Sequence, residues 1–309
     1  MNPADIITIT LNPAIDRTIT IPQFTAGEVN RVEHVRDNPG GKGVNVASSL
    51  ADLGHRVVAT GLLGRENSGP FEELFTQKNI EDAFIRLPGS TRVGIKILDP
   101  VKRQTTDINF PGLAPTREDV AALRERIETL TAPWYVLAGS LPAGLDAKEY
   151  FRLVQTIHGR GGRVMLDTSG APLLEALVAC PDAIKPNADE LGAMLGRSLD
   201  SHDEVVAAAR ELVQQGVSLV VVSMGAKGAV FVTADSVVTA CPPHMEVRST
   251  VGAGDAMVAG TVSGLLRGLP LPEVARLATA SSMDVLSRPE PGLPSEVNFD
   301  ALLASVTIT

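Results

Sequence analysis

Cysteine is nearly absent. Cys180 and Cys241 are the only two, and they form no C-x-x-C pair. A disulfide framework and a structural zinc site are thereby excluded, which leaves two reduced thiols of a cytosolic protein. Histidine is sparse as well. His34, His55, His158, His202 and His244 stand far apart, with no pair at helical spacing for a metal. Basic runs are lacking, and Lys+Arg at 27 against Asp+Glu at 36 gives a net charge of -9. A chain of that balance has no electrostatic footprint for nucleic acid or for a membrane surface, so any anionic ligand must be held by local features. Apolar runs are short. The longest, Val217 to Val222, is interrupted by Ser218, far below the roughly 18–20 residues of a membrane-crossing helix. The opening MNPADIITITLNPAID has no basic region followed by an apolar stretch, so no secretory signal is expected. The expected location is the cytoplasm.

What is present suffices for a sizeable core. The 309 residues are 44% hydrophobic and 20% charged, which suits one large α/β domain with an appendage or two modest domains. Ile6 to Leu11, Arg56 to Leu62, Tyr135 to Ala138, Arg163 to Asp167, Ala183 to Lys185, Leu219 to Ser223 and Ala229 to Val232 read as strands. Helical patterns lie among them at Val44 to Leu53, which stops at Gly54, and at Asp146 to His158, Asp203 to Gln215 and Ala253 to Leu266. This alternation predicts a mostly parallel sheet covered on both faces. Two segments break the rhythm. Thr18 to Arg36 and Thr91 to Gly112 carry strand-like pieces with no helical period. They predict a small β-layer inserted into a single unit spanning 1–309, with no repeat or linker.

Three glycine-containing turns follow or open these elements. Gly252-Ala253-Gly254-Asp255 opens an apolar helical pattern. Its free N–H groups suit a phosphoryl group, and Asp255 suits a general base. An Asp that merely complements the helix dipole reads equally well. Gly40-Gly41-Lys42-Gly43 opens another helix near Asn45. It is no Walker A loop, because Gly43 stands where Ser or Thr is required, and neither cluster fits G-x-G-x-x-G. Lys185-Pro186-Asn187-Ala188-Asp189-Glu190 follows a strand. Asn187 and Glu190 could supply oxygen to Mg²⁺, or they could be a helix cap and its capping-box partner; both can hold at once. Ser223 to Gly228 (SMGAKG) makes a further turn at a strand end.

Together these motifs carry a resemblance. GGKGVNVA (Gly40 to Ala47) resembles the N-terminal signature of the ribokinase-like (PfkB) sugar kinases, and Thr250 to Asp255, continuing to Gly260, resembles the C-terminal one. KPNADE, SMGAKG and AGSLPAG (Ala138 to Gly144) fall in the expected order over essentially the whole chain. TLNPAID (Thr10 to Asp16), GEVNR (Gly27 to Arg31) and Thr91-Arg92 favour the phosphofructokinase branch.

The resemblance implies a three-layer α/β sandwich with a mostly parallel central sheet and a small β-sheet lid, dimeric through that lid. It implies ATP-dependent phosphorylation of a ketohexose phosphate, with fructose 1-phosphate first, fructose 6-phosphate or tagatose 6-phosphate as rivals, and a non-catalytic sugar-phosphate-binding protein as the rival of another class. On the matching positions, Asp255 is the base and Gly252, Ala253 and Gly254 form the anion hole. Asp16, Gly40, Gly41 and Asn45 line the sugar face, Arg92 and Lys42 lie near the substrate phosphate, and Ser140 lines the cleft. Lys185, Asn187, Ser223, Gly225, Gly228, Thr250 and Val251 meet ATP, and Glu190 organises Mg²⁺. The stretch after Ser281, SSMDVLSRPEPGLPS, departs from the glycine- and alanine-rich turn of the family around the adenine.

Overall fold

The computed structural model describes residues 4–102, 104–248, 250–288 and 297–309. In chain order the strands are β1 (Ile6–Thr10), β2 (Ala14–Thr20), β3 (His34–Gly40), β4 (Val57–Gly64), β5 (Glu81–Asp82), β6 (Ile85–Leu87), β7 (Arg92–Asp99), β8 (Gln104–Asn109), β9 (Trp134–Ala138), β10 (Arg163–Asp167), β11 (Ala183–Ile184), β12 (Leu219–Ser223), β13 (Ala229–Val232), β14 (Val237–Cys241) and β15 (Thr307–Ile308). The helices are α1 (Lys42–Asp52), α2 (Gly69–Gln77), α3 (Arg117–Thr129), α4 (Glu149–His158), α5 (Ala171–Leu177), α6 (Ala188–Leu195), α7 (His202–Gln214), α8 (Ala253–Leu266), α9 (Leu271–Ser287) and α10 (Phe299–Ser305).

The larger sheet has 11 strands. Its path runs β15-β14-β13-β12-β11-β10-β9-β1-β4-β5, with β6 also paired to β4. From β12 through β5 every pairing on that path is parallel; β12 to β15 pair antiparallel. Period-two alternation makes the sheet two-faced. Trp134, Val136 and Ala138 of β9 join the core under α1, α8 and α9, whereas Tyr135 and Leu137 join the core under α3, α4 and α7. Helices therefore cover both faces, as parallel crossovers require. The chain leaves β1 toward β4 and returns on its other side to β9. Ligands in open α/β sheets gather outside the carboxyl ends of strands at such a reversal.

The smaller sheet has order β3-β2-β7-β8. Two hairpin-like antiparallel pairs, β2 with β3 and β7 with β8, are joined by the parallel pair β2 with β7. The first ladder runs from Ala14↔Gly40 to Thr20↔His34, wider than the Thr18 to Arg36 segment expected from sequence. The difference matters, because it puts Asp16 on a strand of the small sheet and Gly40 at the strand end that leads into α1. The helix expected from Val44 begins at Lys42, because Gly41 at φ 103 serves as its N-cap. Helix α9 continues through Ser287, so the first residues of the SSMDVLSRPEPGLPS stretch are helical rather than a turn. Small residues there serve packing: a Cβ at Gly260 of α8 would fall 2.7 Å from both Ala278 Cα and Ser281 Oγ of α9.

Candidate active site

Two glycine-capped helices aim their N-termini at one edge of the large sheet. Helix α8 is capped by Gly252 in the left-handed region, φ 81, a conformation glycine adopts without steric cost. Asp255 sits in the first turn of that helix and is only 6% exposed. Helix α1 packs against α8, and its Asn45 donates from Nδ2 to Asp255 Oδ2 at 2.7 Å. Burial pushes the Asp255 carboxyl up to about 6. The Asp167 carboxylate adds to this, and the Asn45 hydrogen bond with the Lys42 and Lys185 ammoniums opposes it. A carboxyl poised near neutrality, facing free helix N–H groups, can accept a proton beside a site for anionic oxygen.

Asp167 terminates β10 and is 1% exposed. Its Oδ1 receives Lys42 Nζ at 3.1 Å and lies 3.6 Å from Lys185 Nζ. Burial works to lower Lys42, but Asp167, Asp255 and Glu190 prevail and hold it above the ordinary lysine value. Lys185 itself is 6% exposed. It reaches the glycine turn, since a Cβ at Gly254 would lie 3.4 Å from its Nζ.

The opposite wall comes from the small sheet. Asp16 lies against Gly40, where an added Cβ would fall 2.2 Å from Asp16 Oδ2. Burial raises the Asp16 carboxyl above its usual range; Arg92 and Lys96 partly offset this, and Asp107 adds to it. Arg92 donates to the Asn12 carbonyl at 3.4 Å, while its Nε is buried with no partner among the described residues. Ser140 accepts from Asn12 Nδ2 at 3.1 Å. A cavity of about 360 Å³ is lined by Asp16, Arg36, Asn38, Lys96, Asn45 and Gly252 among others. An adjoining one of about 540 Å³ reaches Arg248, Thr250 and Val251.

The nucleotide candidates form a separate group along the strand ends. Asn187 pairs with Ser223 in an isolated parallel bridge, and Ser223 N–H donates to the Pro186 carbonyl at 3.1 Å. Gly225 and Gly228 have φ 59 and 88, and Met224 N–H closes their turn on the Gly228 carbonyl at 2.8 Å. Both halves of the capping box exist: Asn187 Oδ1 accepts from Glu190 N–H at 2.7 Å, and Glu190 Oε2 accepts from Asn187 N–H at 2.9 Å. Glu190 Oε1 accepts no bond from a described residue, so it is available to a cation's water shell. Among the described residues no three His, Cys, Asp or Glu side chains cluster as a metal cage. A single carboxylate beside phosphate oxygens and water is the usual seat of Mg²⁺. Thr250 is exposed and Val251 half-buried. Arg288 folds back on Asp284 Oδ2 at 2.6 Å, and Pro289, Glu290 and Pro291 lie outside the described residues.

Sequence reasoning missed Asp167, Lys96 and Asn12. Asp167 left one trace, a carboxylate at the carboxyl end of a predicted parallel strand.

The chain matches the family described as pfkB family carbohydrate kinase over residues 9–298. It belongs to that family. A 1-phosphofructokinase of Rhodobacter capsulatus is 50% identical over 306 residues, covering 98% of this chain and 97% of the relative. A 1-phosphofructokinase of Xanthomonas campestris is 46% identical, covering 90% and 89%. The structure of phosphofructokinase-2 from Escherichia coli in complex with substrates and products superposes with a TM-score of 0.92 at 29% identity, covering 97% of this chain and 98% of that one. As a PfkB carbohydrate kinase this chain is a phosphotransferase, and its sandwich with a separate small sheet is the family's fold. Among the described residues no helix is long and apolar enough to cross a membrane.

Proposed function

We propose that this PfkB kinase transfers the γ-phosphoryl group of ATP to the free primary hydroxyl of fructose 1-phosphate, giving fructose 1,6-bisphosphate and ADP. The observation that carries the mechanism is Asp255, buried, raised to about 6, and bonded to Asn45 beside the Gly252–Gly254 turn. The shared name of the 50% and 46% identical relatives supports the sugar.

Asp16 reads sugar hydroxyls from the small sheet, with Gly40, Gly41 and Asn45 leaving it room. Arg92 faces the anionic end of the substrate, and Lys96 lies further along the same strand. Asp255 takes the proton of the attacking hydroxyl and later releases it to water. The amides of Gly252, Ala253 and Gly254 hold the charge on the transferred group in a preorganised way. Lys185, Asn187, Ser223, Gly225, Gly228, Thr250 and Val251 line the nucleotide's place. Glu190 would hold Mg²⁺ through water, and the ion would neutralise phosphate charge.

The small sheet serves as lid and as dimer interface in this reading. Its outward face carries Ile19, Val35, Ile95 and Ile108, paired Ile19↔Val35 and Ile95↔Ile108. Val35 is 60% and Ile108 45% exposed, and β3 and β8 are sheet edges, which are features that tend to be covered. The reaction is placed in the cytoplasm, where two free thiols persist.

The test is ATP consumption with fructose 1-phosphate, fructose 6-phosphate and tagatose 6-phosphate in parallel. The highest kcat/KM is expected with fructose 1-phosphate. A preference for either 6-phosphate overturns the substrate, and no transfer to any of the three overturns the activity.

A further inference from the structure

Three charged side chains gather around the buried Asp255 carboxyl. Helix α1 contributes Lys42, β10 contributes Asp167, the segment between β11 and α6 contributes Lys185, and α8 contributes Asp255 itself. Both ammoniums converge on one oxygen, Asp167 Oδ1, at 3.1 and 3.6 Å. The other oxygen, Oδ2, is buried and has no hydrogen-bond partner among the described residues. An uncompensated lone pair of a buried carboxylate is costly, so its persistence at a strand end under two helix N-termini calls for a role.

We infer that Asp167 is a positioning residue of the phosphoryl-transfer site. It anchors Lys42 and Lys185 as a pair on the inner side of the Gly252–Gly254 turn, and its charge keeps the neighbouring base proton-hungry. The inference rests on the proposed kinase reading and adds a residue to it.

The electrostatics follow from the count of charges. At rest these four groups are two ammoniums and two carboxylates that sum to zero, with Glu190 outside them acting on Lys42. When Asp255 accepts the substrate's proton, one carboxylate is quenched and the set becomes cationic. That change coincides with negative charge building on the transferred phosphoryl oxygens, so the attraction is greatest at the transition state. Lys185 sits where this is felt, next to Gly254. Without Asp167 the two ammoniums would lose the one oxygen they share and repel each other beside the glycine turn. The direction of the effect on Asp255 is set by sign. Asp167 opposes ionisation of Asp255, whereas Lys42 and Lys185 favour it.

Two substitutions with opposite expected signs test the inference. Asp167→Asn keeps the shape and removes the charge. The acid limb of kcat, and the Asp255 titration followed by ¹³C NMR of the aspartate carboxyls in the free protein, should both move to lower pH by about one unit. Calorimetry should show weaker ATP binding, because the lysines lose their anchor. Lys185→Met should move the same limb and the same resonance to higher pH. If Asp167→Asn does not fold, Lys185→Met and Lys42→Met carry the test, each with an upward shift. A folded Asp167→Asn protein whose Asp255 titration and ATP affinity match the wild type overturns the inference, as does an unmoved titration in both lysine variants. Either outcome beside an inactive Asp255→Asn protein leaves the kinase reading standing. A fully active Asp255→Asn protein defeats the mechanism first.

Discussion

Asn45 donates a 2.7 Å hydrogen bond to Oδ2 of Asp255, a residue 210 positions further along the chain. The bond joins the two glycine-opened helices at the point where they meet the end of the sheet. It also engages one oxygen of Asp255, Oδ2. A donor that favours the carboxylate partly counters burial, so the base stays mostly ionised at neutral pH yet keeps real proton affinity.

Asp255→Asn removes the base and keeps the volume. Turnover should fall about 10²–10⁴-fold, with KM changed far less, since the Gly252–Gly254 amides remain. The same variant relieves the cost of a buried charge and should be more stable at pH 7, on the order of 1–3 kcal/mol. Steady-state kinetics and a urea titration on one sample check both. A variant within a few-fold of wild-type turnover removes Asp255 from the mechanism.

The pH dependence carries its own sign. The Asp255 carboxyl lies at about 6, above its ordinary 3.8. Activity needs the carboxylate and should fall as pH drops through about 6. Folding favours the protonated form of this group, so its own contribution to stability rises over the interval from about 6 down toward 3.8. A kcat profile flat from pH 7 to 5 contradicts the assignment.

Gly40→Ala probes Asp16 without touching it. The new Cβ would fall 2.2 Å from Asp16 Oδ2, and the carboxylate has to rotate away. Losing one charged hydrogen bond costs about 1.5–3 kcal/mol, so KM for the sugar phosphate should rise roughly ten- to a hundredfold. KM for ATP should hold. Equal rises in both constants would mean that Gly40 acts on the whole site rather than on the sugar.

Glu190→Gln separates its two roles. Gln can still cap Asn187, so the fold should survive and thermal stability should change little. The Mg²⁺ concentration for half-maximal rate should rise several-fold, with lower turnover at saturation. An unchanged Mg²⁺ titration reduces Glu190 to a helix cap.

Val35→Asp or Ile108→Asp places a charge on the outward face of the small sheet. Light scattering at micromolar concentration should show a dimer for the parent chain and a monomer for either variant. A parent chain that is already monomeric ends the lid-interface proposal.

Much of this was readable from residues alone, for physical reasons. Strands Arg163–Asp167, Leu219–Ser223 and Ala229–Val232 and helix Ala253–Leu266 match their sequence expectations residue for residue, because period and breaker signals coincide there. The glycine-opened helix starts were visible because glycine at a helix start has few other uses. Asp167 was not, since one Asp at the end of the strand RVMLD has no motif, and its partners lie 125 residues before it and 18 after it in the chain. Sequence could not separate cap from metal site at Asn187 and Glu190, as one geometry serves both. Helix α9, Leu271–Ser287, was not among the expected helices at all. Its small residues resemble a turn's composition, and only the close approach of Gly260 to Ala278 explains them.

The parallel pairing of Ala14–Thr20 with Arg92–Asp99 has a consequence for how the molecule comes into being. The intervening chain includes β4 and α1, so this junction closes a loop that must already contain part of the large sheet. Long-range parallel pairings pay their loop entropy before they return contacts. Asp16 therefore gains its neighbour Gly94 across that junction only after the chain from β3 to β6 is in place. During synthesis the wall that carries Asp16 can close once Asp99 has emerged, and the arrival of α8 with Asp255 is the step that completes the site.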